Sequence, residues 1–342
     1  MHNTIKHYDA LLVHVPKPNE YYPILGTYEL INIIPYGLFS IAAHAQQNGH
    51  RVGIVHLGIE QELDPEFSLA RFVKDKGALT VGFSLHWHYQ AAAVIDQIAL
   101  LKQKLPATRI VLGGITASYF AKSIVEQFPV DGVCQGEGER TFSKILDQAV
   151  GAPLDGIPNL VYPGPNGVVA SAERHEPDAE ELAGYHYFDA ELLVHPEQYL
   201  RFCHTPWVRP KGLIKAAYGR GLIRDEKLFT LPTFRGCPYN CSYCGGTRNA
   251  YSRFMNRGNF AVIDAKPLIL ALKNAATAGF RSLLFEYINF PEAEKQVLEI
   301  ISALSGLPEF YNLIIECRNI PSSRFVTSVG KLVKQGRKVR FN

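Results

Sequence analysis

Three cysteines, Cys237, Cys241 and Cys244, stand at C-x-x-x-C-x-x-C spacing in one short stretch, residues 234–246. At that spacing all three thiolates can turn toward one centre. Three thiolates are one short of the four that close a structural zinc site or an ordinary iron–sulfur cluster. A metal centre that works on a substrate keeps such a position open. Gly236 and Pro238 are expected to force a sharp loop after a strand-like run over 231–235. Tyr239 and Tyr243 are expected to wall the centre with aromatic surface that excludes water and tunes its potential. The alternative is a zinc knuckle with a distant fourth ligand, and the second ligand pair typical of zinc modules is missing.

A loop of this kind needs a scaffold, and the chain supplies alternating strand-like and helix-like patterns on both sides of it. Ahead of the loop, short apolar runs at 9–15, 51–57, 79–85, 109–112 and 132–134 read as strands buried on both faces. Between them, 3.6-residue periodicity predicts helices over 36–48, 91–105, 117–128 and 139–150, and Asp64-Pro65-Glu66 reads as a further helix start. Five strands alternating with helices imply a Rossmann-like, doubly wound parallel sheet with its ligand at the carboxyl ends of the strands. Residues 157–169, with Asn166-Gly167 at the turn, read as a hairpin closing that unit. After the loop, helices at 264–278, 292–304 and 323–335 alternate with strands at 281–287, 313–317 and 338–341. That is the pattern of a βα barrel with functional residues at strand ends. It has room for three βα units and one strand, so the barrel is expected to be incomplete and the chain truncated. The division is residues 1–171, a connector over 172–228, and a partial barrel over 229–342.

The cysteine stretch, including the aromatic Tyr243 before the last cysteine, resembles the cluster loop of radical S-adenosylmethionine (SAM) enzymes. The segments Pro35-Tyr-Gly-Leu38, Val111-Leu-Gly-Gly114, Gly136-Glu-Gly-Glu139 and Ile157-Pro-Asn-Leu160 look like the cobalamin-binding domain found ahead of radical SAM domains. Together they are similar to the cobalamin (B12)-binding radical SAM family. The resemblance implies a [4Fe-4S] cluster on Cys237, Cys241 and Cys244, with SAM on the remaining iron. It places SAM contacts at Tyr243, Glu286, Asn289, Glu316 and Arg318, and cobalamin contacts at Ser84, Leu85, Gly113, Gly114, Gly136, Glu137 and Gly138. The Gly-Gly-Glu usual near the SAM amino group is replaced here by Phe285-Glu-Tyr-Ile-Asn289. The glycines would let a flat corrin approach the backbone.

The implied chemistry is reductive cleavage of SAM to a 5′-deoxyadenosyl radical, hydrogen abstraction, and methyl transfer to an unactivated carbon. Ring closure or rearrangement is the neighbouring possibility, and a corrinoid- and iron–sulfur-binding module without turnover is the rival class. The implied partners are a flavodoxin- or ferredoxin-type reductant and a small-molecule or peptide substrate. One departure from cobalamin proteins is plain: no Asp-x-His-x-x-Gly follows the first strand, so cobalt is expected without a protein imidazole. His14, His86 and His88 are expected to be buried and satisfied by hydrogen bonds.

Composition narrows the rest. A net charge of +3 on 342 residues gives no argument for nucleic acid, and the basic run over 331–340 reads as a solvated helix face. No apolar stretch approaches a membrane span and the first residues lack a signal-peptide pattern, which points to a cytoplasmic protein. Six cysteines, half of them in one loop, suit a reducing compartment better than a disulfide framework. Residues 173–181 read as a charged surface linker. The aromatic cluster of Tyr185, Tyr187, Phe188, Tyr199, Phe202 and Trp207 reads as interdomain packing, with a substrate cavity as the alternative. Cys203 and His204 have no partner at ligand spacing and read as structural.

Overall fold

The computed structural model describes residues 7–18, 28–29, 35–203 and 227–342. His204 and Trp207 lie outside these described residues.

Strands β1 (Ala10–His14), β2 (Val52–His56), β3 (Thr80–Ser84), β4 (Arg109–Gly113) and β5 (Gly132–Cys134) pair in parallel in the order β2-β1-β3-β4-β5. The hairpin β6 (Leu160–Gly164) and β7 (Gly167–Ala170) extends the sheet antiparallel. Every residue of β1, β2 and β3 is buried. Leu12 and Ile54 join the core on one face, beneath the helices Tyr36–Gln47 and Glu139–Leu146. Leu11, Val13 and Val81 join the other, beneath Leu69–Asp75, Ala91–Lys104 and Ala121–Gln127. The strand order reverses between β1 and β3, so helices diverge there and leave a crevice outside the carboxyl ends.

A second sheet holds β8 (Leu228–Leu231), β9 (Ser282–Tyr287), β10 (Asn312–Cys317) and β11 (Lys338–Phe341), all parallel and in chain order. Helices Ala265–Thr277, Pro291–Leu304 and Ser323–Lys334 connect them in the manner of a βα barrel wall. The hydrophobic core is continuous between the halves. Leu12, Phe39 and Phe142 belong to the same cluster as Phe229, Phe285 and Ile315. The aromatic connector fills the join: Phe188 packs edge-on against Phe229 and Phe280, with ring centroids 5.2 and 5.5 Å away. Tyr187, Tyr199 and Phe202 are buried beside it, as read for packing aromatics, while Phe188 also lines a cavity, the alternative read for this cluster.

Local chemistry explains where the elements differ from the pattern. Asp64-Pro65-Glu66 does not start a helix. One helix runs over Leu57–Leu63 directly from β2, capped by His56 Nδ1 accepting from Ile59 N. Asp64 Oδ1 then accepts from Glu66 N to make a turn, and Ser68 caps the next helix. The helix expected over 117–128 is broken at Phe120 into Ile115–Tyr119 and Ala121–Gln127. The run over 231–235 is not one strand. Pro232, which lacks an N–H, follows the end of β8, and Phe234–Arg235 turn away to pair antiparallel with Ala261–Val262. Among the described residues, no helix is long and apolar enough to cross a membrane.

Candidate functional site

A cavity of about 650 Å³ separates the carboxyl ends of the first sheet from the start of the second. Its first wall carries Ser84, His86, Gly113, Gly114, Gly136 and Gly138. Its second carries Thr230, Thr233, Arg235, Gly236, Tyr251 and Glu286. At one end it is apolar, lined by Phe188, Leu200, Phe229, Phe280 and Leu284.

Six of the seven residues expected at the corrin, Ser84, Gly113, Gly114, Gly136, Glu137 and Gly138, line this cavity. Leu85 does not. Its side chain is buried and its carbonyl lies under Gly114. The glycines divide into two kinds. Gly114 and Gly136 both have φ of +108°, and an added Cβ would sit 2.7 Å from the Leu85 carbonyl oxygen at one and overlap the Met255 carbonyl at the other. The protein itself requires glycine there, whatever binds. At Gly113 the nearest atom to an added Cβ is Cys134 Cβ at 3.9 Å, so a side chain has room.

The histidines correct the expectation of buried, satisfied rings. His14 is buried with Nδ1 unpartnered, His86 is half-buried at the cavity, and His88 is exposed. Burial holds the His14 pKa well below the imidazole range, with His56 and His86 adding to the effect.

Along the cavity runs a charge network that spans the two halves. Glu137 accepts from Arg235 Nη1 through Oε2 at 2.6 Å and from Arg257 Nε through Oε1 at 2.7 Å. Glu139, 1% exposed, accepts from Arg235 Nη2 at 2.8 Å and from the Ser40 hydroxyl at 2.7 Å. Burial opposes its ionisation, but the Arg235 guanidinium and the Ser40 hydroxyl outweigh that and hold its pKa below the carboxylate range. Burial disfavours the charged Arg235 as well, and Glu137 and Glu139 reverse the balance, holding it well above its ordinary value. Arg257 also reaches Glu176, whose carboxylate accepts from Gly258 N and Asn259 N. The segment read as a surface linker therefore contributes a residue to the network. Sequence reasoning passed over Arg235, Arg257, Glu139 and Glu176. The available signal was an arginine just ahead of Gly236-Cys237, set against the paired acids of Gly136-Glu-Gly-Glu139.

The cysteine loop docks on the first domain. Tyr119 OH donates to the Gly245 carbonyl at 2.7 Å, its ring stacks on Phe254 at 4.2 Å, and Asn256 Nδ2 donates to the Gln135 carbonyl at 3.1 Å. Cys237 and Cys241 are half-buried, Cys244 is exposed, and none is in a disulfide. Gly246 N donates to Cys244 Sγ at 3.3 Å. Among the described residues, no three His, Cys, Asp or Glu side chains stand close enough to share one metal ion. A four-iron cluster makes no such demand, because each thiolate takes its own iron. Tyr243 is 90% exposed and does not wall the loop, whereas Tyr239 is held by Asn319 Nδ2 donating to its hydroxyl at 3.2 Å.

At the ends of β9 and β10, Arg318 donates to Glu286 and, at 3.3 Å, to Glu316. Asn289 Nδ2 donates to the Ile320 carbonyl. Of the residues expected at SAM, Glu286 alone lines the cavity, and Tyr243, Asn289, Glu316 and Arg318 lie outside it. Cys203 is buried, and burial pushes its thiol up to about 12, as suits a structural residue.

With this geometry in place, comparison with known proteins is informative. Residues 29–146 match the family of B12 binding domains. Hopanoid C-3 methylase of Methylococcus capsulatus is 25% identical over 225 residues, covering 65% of this chain and 38% of that protein. The radical S-adenosylmethionine methyltransferase TsrM from Kitasatospora setae, solved with tryptophan substrate and a SAM analogue, superposes with a TM-score of 0.68 at 18% identity. That match covers 98% of this chain and 59% of TsrM. The cobalamin-dependent SAM radical enzyme OxsB, solved with aqua-cobalamin, gives a TM-score of 0.69 at 14% identity over 98% of this chain and 43% of OxsB. The chain thus spans between about two fifths and three fifths of the lengths of these proteins. The structural likenesses establish the fold: a Rossmann-like doubly wound domain, the part matched by the B12 binding domain family, followed by parallel strands and helices in barrel order. The resemblance to cobalamin-binding radical SAM enzymes read from the sequence is borne out.

Proposed function

We propose that this chain is the cofactor-binding portion of a cobalamin-dependent radical SAM methyltransferase. One observation carries the reading: a B12-type sheet and the segment leading into the three-cysteine loop, through Arg235 and Gly236, line the same cavity, with Cys237 the next residue along. When bound, the cluster, SAM and cobalamin would supply an electron, an abstracting radical and a transferable methyl group.

The residues present fit those groups. Cys237, Cys241 and Cys244 would hold three irons and leave the fourth for SAM. Ser84, Gly113, Gly114, Gly136, Glu137 and Gly138 line the space at the strand ends where a corrin would lie, with Leu85 beneath. Glu139 Oε2 and Arg235 Nε are a buried acceptor and donor without partners, on side chains that line the cavity. They match the two ends of a carboxamide, the group that edges a corrin ring. Glu286, Asn289, Glu316 and Arg318 form a polar rim for the methionine and ribose of SAM, with Tyr243 at the lip of the loop. The apolar end of the cavity would take a small molecule with a largely apolar body. An external reductant of flavodoxin or ferredoxin type would supply the electron at the loop carrying the exposed Cys244.

Anaerobic reconstitution should give about four irons and four sulfides per chain, and Cys237→Ala should abolish both. With SAM and reductant, 5′-deoxyadenosine should form. Stoichiometric zinc without sulfide would overturn the proposal.

A further inference from the structure

The segment that carries all three cysteines is bracketed by two arginines. Arg235 stands two residues before Cys237, and Arg257 follows the helix Arg248–Phe254 that leaves the loop. Both point back to one carboxylate, and each takes a different oxygen of Glu137. Arg257 is 1% exposed, Glu137 10% and Arg235 15%, so water competes little for either contact. Glu137 lies in the turn between Gly136 and Gly138 and, like both arginines, lines the cavity. Two residues of backbone span no more than about 7 Å, so a displacement of Arg235 is carried directly to Cys237.

We propose that Glu137 is a positioning residue of the cluster loop: its carboxylate clasps both ends of residues 236–256 and fixes the cysteines relative to the cavity. This rests on the reading above and changes one assignment within it, because both oxygens of the Glu137 carboxylate are taken by the two arginines of the cluster segment. Glu139 and Ser40 back the clasp through Arg235. A neutral amide at 137 keeps the shape but removes the charge and one acceptor, so it satisfies one arginine and leaves the other partly unpaired in a buried setting.

The test compares wild type with Glu137→Gln in the reconstituted full chain, reading three things in one preparation. Iron loss to a chelator should be about tenfold faster in the variant, the scale of an outer-shell defect at a metal site. Tryptic cleavage at Arg248 and Arg253, inside the clasped segment, should also accelerate. Cobalamin affinity, titrated by absorbance, should change less than iron retention does. Wild-type iron retention with a wild-type tryptic pattern overturns the clasp. So does weakened cobalamin binding with unchanged iron retention, which would make Glu137 a corrin contact instead. If wild type takes up no iron, the proposed function falls, and the tryptic comparison, which needs no cluster, decides the clasp alone. Should Glu137→Gln fail to fold, Arg235→Lys serves. Its ammonium keeps the charge but lacks the planar fork that joins Glu137 to Glu139, so faster iron loss supports the clasp and unchanged loss overturns it.

Discussion

Two acid–arginine clusters are built from the same residue types, both near strand ends, and they differ in solvent access: the first lines the cavity, and the second touches it through Glu286 alone. In the first, Arg235 and Arg257 lie among Glu137, Glu139 and Glu176, and Arg257 is 1% exposed. In the second, Arg318 is 46% exposed between Glu286 and Glu316. Burial turns the first into a structural joint. Its charges have left water, each depends on its partner, and the network ties the B12-type domain to the cysteine segment. Exposure leaves the second adjustable, since water replaces any contact that a ligand displaces. An acid–arginine pair at a strand end is therefore not a site by composition. Solvent access separates the joint from the rim proposed for a ligand.

The comparison breaks most visibly at Arg257. Arg257→Ala would leave Glu137 and Glu176 short of a buried partner and should cost about 3–5 kcal/mol, measured as a shift in the urea midpoint at constant slope. A loss below 1 kcal/mol would show that the two clusters are alike. Next comes Gly136→Ala, where the left-handed backbone and the Met255 carbonyl both oppose a side chain. A cost of about 1–3 kcal/mol is expected from the strain alone. Gly113→Val should fold normally, since its Cβ meets nothing closer than 3.9 Å, yet weaken cobalamin binding by projecting into the cavity. Equal titration of wild type and Gly113→Val would place the corrin elsewhere.

Acid sharpens the contrast. The Glu139 pKa is depressed in the fold, so its stabilisation is complete above the unfolded carboxylate value, about 4.3, and is lost as pH falls through the folded value. His14 is depressed too, and its contribution fades below the unfolded imidazole value, about 6.5. Urea midpoints should therefore fall in two stages on acidification, and Glu139→Gln should flatten the lower one. An unchanged lower stage in that variant would remove Glu139 from the buried network. The smallest effect is expected from Arg318→Ala, about 0–1 kcal/mol in stability, while SAM affinity falls. A large loss of stability there would mean that the rim is also a joint.

The sequence alone determined what could be read from spacing and period. Three cysteines in eight positions mark one candidate site because covalent spacing limits where thiolates can go. Short apolar runs alternating with segments of 3.6-residue period define parallel strands and their helices, and almost every predicted element is present within a few residues. The misplacements, Asp64-Pro65-Glu66 and the 231–235 run, arose where one side chain or one missing N–H redirects the backbone. Only the tertiary structure decided which acid meets which arginine. Glu137 and Arg235 lie 98 residues apart, and charge pairing at that distance has no period to read. It also decided which glycines are needed by the protein and which by space for a ligand. That depends on which carbonyl the fold brings over each Cα: Leu85 over Gly114, Met255 over Gly136, and none over Gly113.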